Sequence, residues 1–195
     1  MAIQDRRERE RAARRRLIVT TARKLAEAEG WDAVTTRRLS TEIEYSQPVL
    51  YKHFAGMEQI AEAVALDGFA ELADVCSAAS SGAGTASDAL TRVAHAYLDF
   101  ARDNPAVYDA MFTRATTLRF AAEDTPPQLE AAFAGLRQAV GLAADEHDAD
   151  TLTEVFWAAL HGLVTHTRTG RLRSGYGSDR LQLLVDEFTS RREKP

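Results

Sequence analysis

Residues 46–54 read Ser-Gln-Pro-Val-Leu-Tyr-Lys-His-Phe, a run whose side chains suit the surface of a nucleic-acid duplex. On a helix, Leu50 and Phe54 share one face, and burying them leaves Gln47, Pro48, Val49, Tyr51, Lys52 and His53 pointing outward. A glutamine amide bonds an adenine edge and a valine methyl packs on a thymine methyl, while phenol, ammonium and imidazole groups reach phosphate oxygens. A merely solvated surface would also carry such residues, so the elements around the run decide its meaning.

Other chemistries find less support. The chain has no Gly-rich phosphate loop, no His-Glu-x-x-His order and no nucleophile elbow, so no catalytic residues are assigned and the protein is not expected to be an enzyme. Glu146-His147-Asp148 with Asp150 offers metal-ligating types, yet acidic residues at a helix start mainly suit the helix dipole, and neither a metal nor a cofactor is expected. The single cysteine, Cys76, cannot form an internal disulfide and has no basic neighbour in sequence to activate it, which predicts a small core residue.

The elements that must position residues 47–53 are helical. Helical spacing recurs along the chain without sustained alternation, which predicts an all-α fold of about nine helices. Ile18, Ala22 and Leu25 mark the first helix, closed by Gly30; Leu39 and Ile43 mark a second, capped by Thr35 or Thr36. A third starts at Ser46, with Pro48 in its first turn. Two short helices joined by a tight turn make a helix-turn-helix, whose second helix enters the major groove. A longer helix runs from Met57 to about Ala79, Gly82 and Gly84 mark a loop, and helices follow that bear Leu90 to Ala101, Leu129 to Val140, Leu152 to Val164 and Leu181 to Phe188. Gly162, inside a helix, predicts close approach of another helix.

The 195 residues carry a net charge of −5, unevenly spread. Residues 1–60 hold twelve Lys/Arg and nine Asp/Glu, net +3, whereas residues 61–195 hold twelve and twenty, net −8. A basic head on an acidic body follows, in a chain long enough to bury a sizeable core. The longest apolar run, Val155–Leu160, is six residues, far short of the about 20 needed to span a bilayer, which predicts a cytoplasmic protein without a membrane partner. Arg6, Arg7, Arg9, Arg11, Arg14, Arg15 and Arg16 form a basic arm, either simply solvated or in contact with DNA backbone or minor groove.

At Thr35-Thr36-Arg37, at Leu50-Tyr51-Lys52-His53-Phe54 and in the amphipathic helix after Met57, the chain resembles the TetR family of bacterial transcription repressors. The resemblance places DNA contacts on Thr36 and Arg37 in the second helix and on Gln47, Pro48, Val49, Tyr51 and His53 in the third. Two positions depart from the family pattern. The turn residue often held by glycine is Glu44, which implies either a left-handed backbone there or a differently built turn. Met57 and Glu58 stand where the family often has a phosphate-binding lysine. Asn104-Pro105-Ala106-Val107-Tyr108-Asp109-Ala110-Met111-Phe112 and Trp157-Ala158-Ala159-Leu160-His161-Gly162 resemble a Trp-His-Gly (WHG) subgroup of the family.

The resemblance implies a ligand-responsive repressor that binds a palindromic double-stranded DNA operator as a homodimer paired through its last two helices. Leu160, Leu163 and Val164 with Leu181, Leu184 and Phe188 are the apolar residues expected at that pairing. The expected organisation is a flexible basic arm (1–16), a DNA-binding domain (17–56) and an effector-binding and dimerisation domain (57–195). Tyr97, Tyr108, Met111, Phe133, Trp157 and His161 supply the apolar walls and few polar handles of a small-molecule pocket. Trp157 and His161, four apart, are alternatively a packed core pair. The competing functions are a DNA-binding regulator without an effector and a helical-bundle enzyme with a vestigial head.

Overall fold

A computed structural model describes residues 2–114, 118–120, 122–144 and 147–190. Among them the chain forms nine α-helices and no strand: α1 Ala2–Glu29, α2 Thr36–Glu42, α3 Gln47–Tyr51, α4 Met57–Ser80, α5 Ala86–Asp103, α6 Pro105–Asp109, α7 Pro127–Gly141, α8 Ala149–Arg168 and α9 Gly177–Thr189. A 3₁₀ turn, Trp31–Ala33, follows α1, and a π-helical turn, Ala110–Arg114, continues α6. No helix of the described residues is long and apolar enough to cross a membrane.

The first helix corrects one expectation. Residues 2–16, expected as a flexible arm, are the first turns of α1, which passes without interruption into the segment bearing Ile18, Ala22 and Leu25. Residues 4–17 are all exposed, so packing does not hold this half. Alanine, arginine and glutamate are strong helix formers, and Arg6 pairs with Glu10 one turn on at 2.9 Å. The helix ends where Gly30 adopts φ +83°, and the Gly30 amide donates to the Ala26 carbonyl at 2.9 Å.

The chain forms two compact units, which cut across the expected boundary at residue 56. The first holds residues 1–68 and 104–126, so α6 and its π turn belong with the head. Ile18, Ala22, Leu39, Leu50 and Val64 are buried at its centre. Asn104, at the cap position of α6, uses its side-chain oxygen to accept from Arg23 at 2.9 Å. The first amides of α6 go instead to Glu27 of α1, whose carboxylate accepts from Ala106 N at 3.1 Å and Val107 N at 3.0 Å. The Trp31 indole donates to the Ala106 carbonyl at 2.8 Å. Gly68 lets α4 pass close to this segment: a Cβ there would lie 2.8 Å from Met111 Sδ and closer still to Val107.

The second unit holds residues 69–103 and 127–195. Helix α5 packs on α7, α8 and α9, and α7 on α8, around Tyr97, Leu136, Phe156, Leu160 and Val185. The Phe156 and Phe188 rings meet edge to face at 5.0 Å. Gly135 of α7 passes close to α4, where a Cβ would lie 3.3 Å from Cys76 Cβ. Cys76 is a fully buried core residue as expected, and burial pushes its thiol up to about 12. Asp148 caps α8, its carboxylate accepting from the Thr151 amide at 2.8 Å and the Thr151 hydroxyl at 2.7 Å; those bonds hold its pKa below the ordinary value. Asp150 pairs with Arg137, so two of the three carboxylates considered for metal are engaged by the protein. Glu146 lies outside the described residues.

Candidate nucleic-acid interface

The helix-turn-helix is built from short-range rules. Thr35 is the N-cap of α2, its hydroxyl accepting from the Arg38 amide at 3.1 Å. Arg38 then pairs with Glu29 at 3.2 Å and Glu42 at 3.0 Å. Helix α2 closes with the Tyr45 amide donating to Ser40 O at 3.0 Å and the Glu44 amide to Thr41 O at 3.4 Å, the paired bonds of a Schellman closure. That closure puts its C′ residue in the left-handed region, and Glu44 has φ +57°, alone among the described non-glycine residues. Of the two possibilities the sequence leaves for Glu44, the structure has the left-handed one, at a cost of about 1–2 kcal/mol.

Helix α3 is short. Ser46 occupies its N-cap position without a side-chain cap bond, and Pro48 sits in the first turn, where a missing N–H costs nothing. Leu50 and Phe54 are buried. Gln47, Pro48, Tyr51 and Lys52 are exposed, whereas Val49 on the helix and His53 in the turn just after it are half-buried. On α2, Arg37 is exposed and Thr36 half-buried. The arrangement offers an amide, apolar groups, a phenol and cations to a partner's surface. After α3, the Ala55 amide donates to Gln59 Oε1 at 2.8 Å, which fixes the entry into α4.

One residue that positions this face gives no sign of its role in the sequence. Arg15 of α1 donates from its guanidinium to the His53 carbonyl at 2.6 Å and lies 4.1 Å from the Phe54 ring centroid, closing the end of α3 against α1. His53 Nδ1 is buried with no hydrogen-bond partner. Burial first, then the charges of Arg11, Arg14, Arg15 and Lys52, hold the His53 imidazole below its ordinary value.

The six residues expected at an effector pocket divide between the two compact units. Tyr108 and Met111 belong to the first unit and are buried, the Tyr108 ring 4.6 Å from Phe112. Tyr97, Phe133, Trp157 and His161 belong to the second, Tyr97 fully buried and the other three half-buried. Trp157 and His161 stack at 5.9 Å with their planes tilted by 33°, and burial lowers the His161 pKa.

The apolar residues of α8 and α9 require a correction. Leu160, Val164, Leu181 and Phe188, expected at a subunit pairing, are buried within the chain, while Leu163 and Leu184 are half-buried. The outward apolar side chains are instead Val155, 54% exposed, and Leu183, 64% exposed. Around Gly162 a Cβ would meet nothing within 4 Å, so among the described residues no helix makes the close approach expected there.

Two family profiles match the chain. One, described as "Bacterial regulatory proteins, tetR family", matches residues 18–64; the other, "Tetracyclin repressor-like, C-terminal domain", matches residues 90–188. An uncharacterized HTH-type transcriptional regulator of Mycobacterium tuberculosis, Rv0681, is 32% identical over 162 residues, covering 80% of this chain and 71% of its own. The uncharacterized HTH-type transcriptional regulator YobS of Bacillus subtilis is 35% identical over 95 residues, about half of each chain (49% and 49%). In fold, the chain is similar to a protein of unknown function from Rhodococcus sp. RHA1, with a TM-score of 0.72, 23% identity and coverage of 90% and 93%. It is also similar to the TetR family transcriptional regulator PfmR of Thermus thermophilus, with a TM-score of 0.62, 18% identity and coverage of 89% and 97%. Neither profile description names the Trp-His-Gly subgroup, which stays an expectation of the sequence. With its helix-turn-helix and its C-terminal bundle both matched, the chain belongs to the TetR family of bacterial regulatory proteins.

Proposed function

We propose that the protein is a sequence-specific, DNA-binding transcriptional repressor that reads a palindromic duplex as a homodimer and leaves it on binding a small molecule. The observation that carries the DNA-binding part is the face of α3: Gln47, Pro48, Tyr51 and Lys52 exposed on a helix held from behind by Leu50, Phe54 and Arg15. In this assignment Gln47 and Val49 read base edges, while Thr36, Arg37, Tyr51, Lys52 and His53 hold phosphates. Two such heads must enter grooves one helical turn apart, about 34–36 Å.

Pairing through the outer faces of α8 and α9 is supported by Val155 and Leu183 and by the open space beside Gly162, where a second subunit's helix has room. An effector held among Tyr97, Phe133, Trp157 and His161 of the second unit acts by binding more tightly to a dimer whose head spacing does not fit the operator. Selection of duplexes from a randomised library, followed by sedimentation of the protein alone and bound, tests the assignment. The expected result is a palindrome bound by two chains. A protein that retains no duplex, or sediments as a monomer at micromolar concentration, overturns it.

A further inference from the structure

The exposed half of α1 carries seven arginines against Asp5, Glu8 and Glu10, a net charge of +4 over residues 2–16. Their partners divide them. Arg6 pairs with Glu10, Arg9 donates to the Asp5 carbonyl and Arg15 to the His53 carbonyl. Arg7, Arg11, Arg14 and Arg16 make no hydrogen bond or ion pair with any described residue, and helical spacing puts Arg16 on the opposite side from the other three.

Those three stand at i, i+4 and i+7, on one face of the helix. It is the face that becomes apolar farther along, since Ile18, Ala22 and Leu25 continue the same register and are buried in the head. The arginine stripe therefore extends the packed face of α1 beyond the end of the head. At its inner end Arg15 touches the close of α3, and the charges of Arg11 and Arg14 reach His53, so the stripe is electrically continuous with the candidate DNA face. Seven residues at a rise of about 1.5 Å spread the guanidinium groups over about 10 Å, the axial length of about three phosphates on one strand. Glu10, three residues from Arg7 and four from Arg14, is the acidic neighbour of the stripe and is paired with Arg6 at 2.9 Å, and arginine forks match phosphate oxygens in pairs.

We infer that Arg7, Arg11 and Arg14 form a second DNA-backbone site, a guanidinium rail that holds successive phosphates flanking the groove occupied by α3. The inference rests on the DNA-binding function proposed above and enlarges its footprint.

The test uses the full chain, the duplex it selects and a range of KCl concentrations. In Arg7→Ala/Arg11→Ala/Arg14→Ala, the slope of log affinity against log salt should become shallower by about 0.9 for each lost contact, up to about 2.7 in all. Phosphate-ethylation interference seen outside the half-site with the wild-type protein should vanish with this variant. The matching triple lysine variant should keep most of the slope, since charge remains. Alanine is the best helix former, and the lysine variant guards against an effect of lost helix. A triple alanine variant with the wild-type slope and interference pattern, on a duplex whose affinity falls in Gln47→Ala, overturns the rail and leaves the DNA-binding function standing. A wild-type protein that selects no duplex overturns both.

Discussion

The Glu27 carboxylate of α1 accepts the Val107 amide of α6 at 3.0 Å, joining residues 80 positions apart and serving as the cap that Asn104, turned toward Arg23, does not supply. A carboxylate at a helix start satisfies free amides and meets the positive end of the helix dipole. Glu27→Ala should cost about 0.5–2 kcal/mol, as loss of a cap does, and so lower the melting temperature by a few degrees. Hydrogen exchange at Ala106 and Val107 should accelerate in that variant, and Glu27→Gln should recover part of the protection. Unchanged exchange in Glu27→Ala would show that the carboxylate does not cap α6 in solution.

Glu44 at φ +57° carries strain that a glycine would not. The relief of about 1–2 kcal/mol is partly offset by the greater freedom of glycine in the unfolded chain, about 0.5–1 kcal/mol. Glu44→Gly should therefore raise the melting temperature slightly, whereas Glu44→Val, β-branched at the same φ, should lower it by several degrees. A glycine variant less stable than wild type would mean that the Glu44 side chain has a stabilising partner in solution.

On the candidate DNA face, base reading and phosphate holding predict different losses. Gln47→Ala should cost about 1–3 kcal/mol on the selected duplex, relax preference at one base pair and leave the melting temperature unchanged. Arg37→Ala should weaken binding to all sequences alike and reduce the salt slope by about 0.9. Equal loss on selected and random duplexes would remove Gln47 from base reading, and an unchanged slope would remove Arg37 from phosphate.

What was legible in the sequence was what short-range rules determine. The spacing of Leu39, Leu50 and Phe54, the cap at Thr35 and the non-glycine turn at Glu44 all act within a few residues, and so the helix-turn-helix could be placed. The first half of α1 was missed because its residues have no apolar face to set a period before Ile18; propensity and the Arg6–Glu10 pair hold it as a helix. The pairs Arg15–His53 and Glu27–Val107, 38 and 80 residues apart, have no local signature at all. For α8 and α9 the periodicity marks Leu160, Val164, Leu181 and Phe188 as apolar, but a period cannot say whether the same chain or a second one covers them. The chain itself does.

His53 and His161 both have imidazoles held below the ordinary 6.5, His53 by burial and nearby cations and His161 by burial. The unfolded chain then binds protons at a pH where the folded protein does not. Stability is complete above about 6.5 and falls as pH drops toward the lower folded values. His53→Gln should flatten the fall in melting temperature between about pH 7 and about pH 5. A duplex phosphate beside Arg11, Arg14 and Lys52 would offset their charges and raise the His53 pKa, so wild-type binding should strengthen as pH falls and that of His53→Gln should strengthen less. Parallel pH profiles for the two proteins would separate His53 from the backbone contact.

Trp157 separates a ligand pocket from a packed core. It is half-buried and stacked on His161 at 5.9 Å, so its truncation should cost less than the about 3–5 kcal/mol of a fully buried tryptophan. A compound that raises the melting temperature in a small-molecule screen provides the probe. If Trp157 lines the site, the difference between wild-type and Trp157→Phe emission should shift on adding that compound. Trp157→Ala should then stay folded and hold DNA while losing release by the compound. A variant that unfolds, or that loses DNA binding together with release, makes Trp157 a core residue. Release that survives in a folded Trp157→Ala protein places the effector elsewhere.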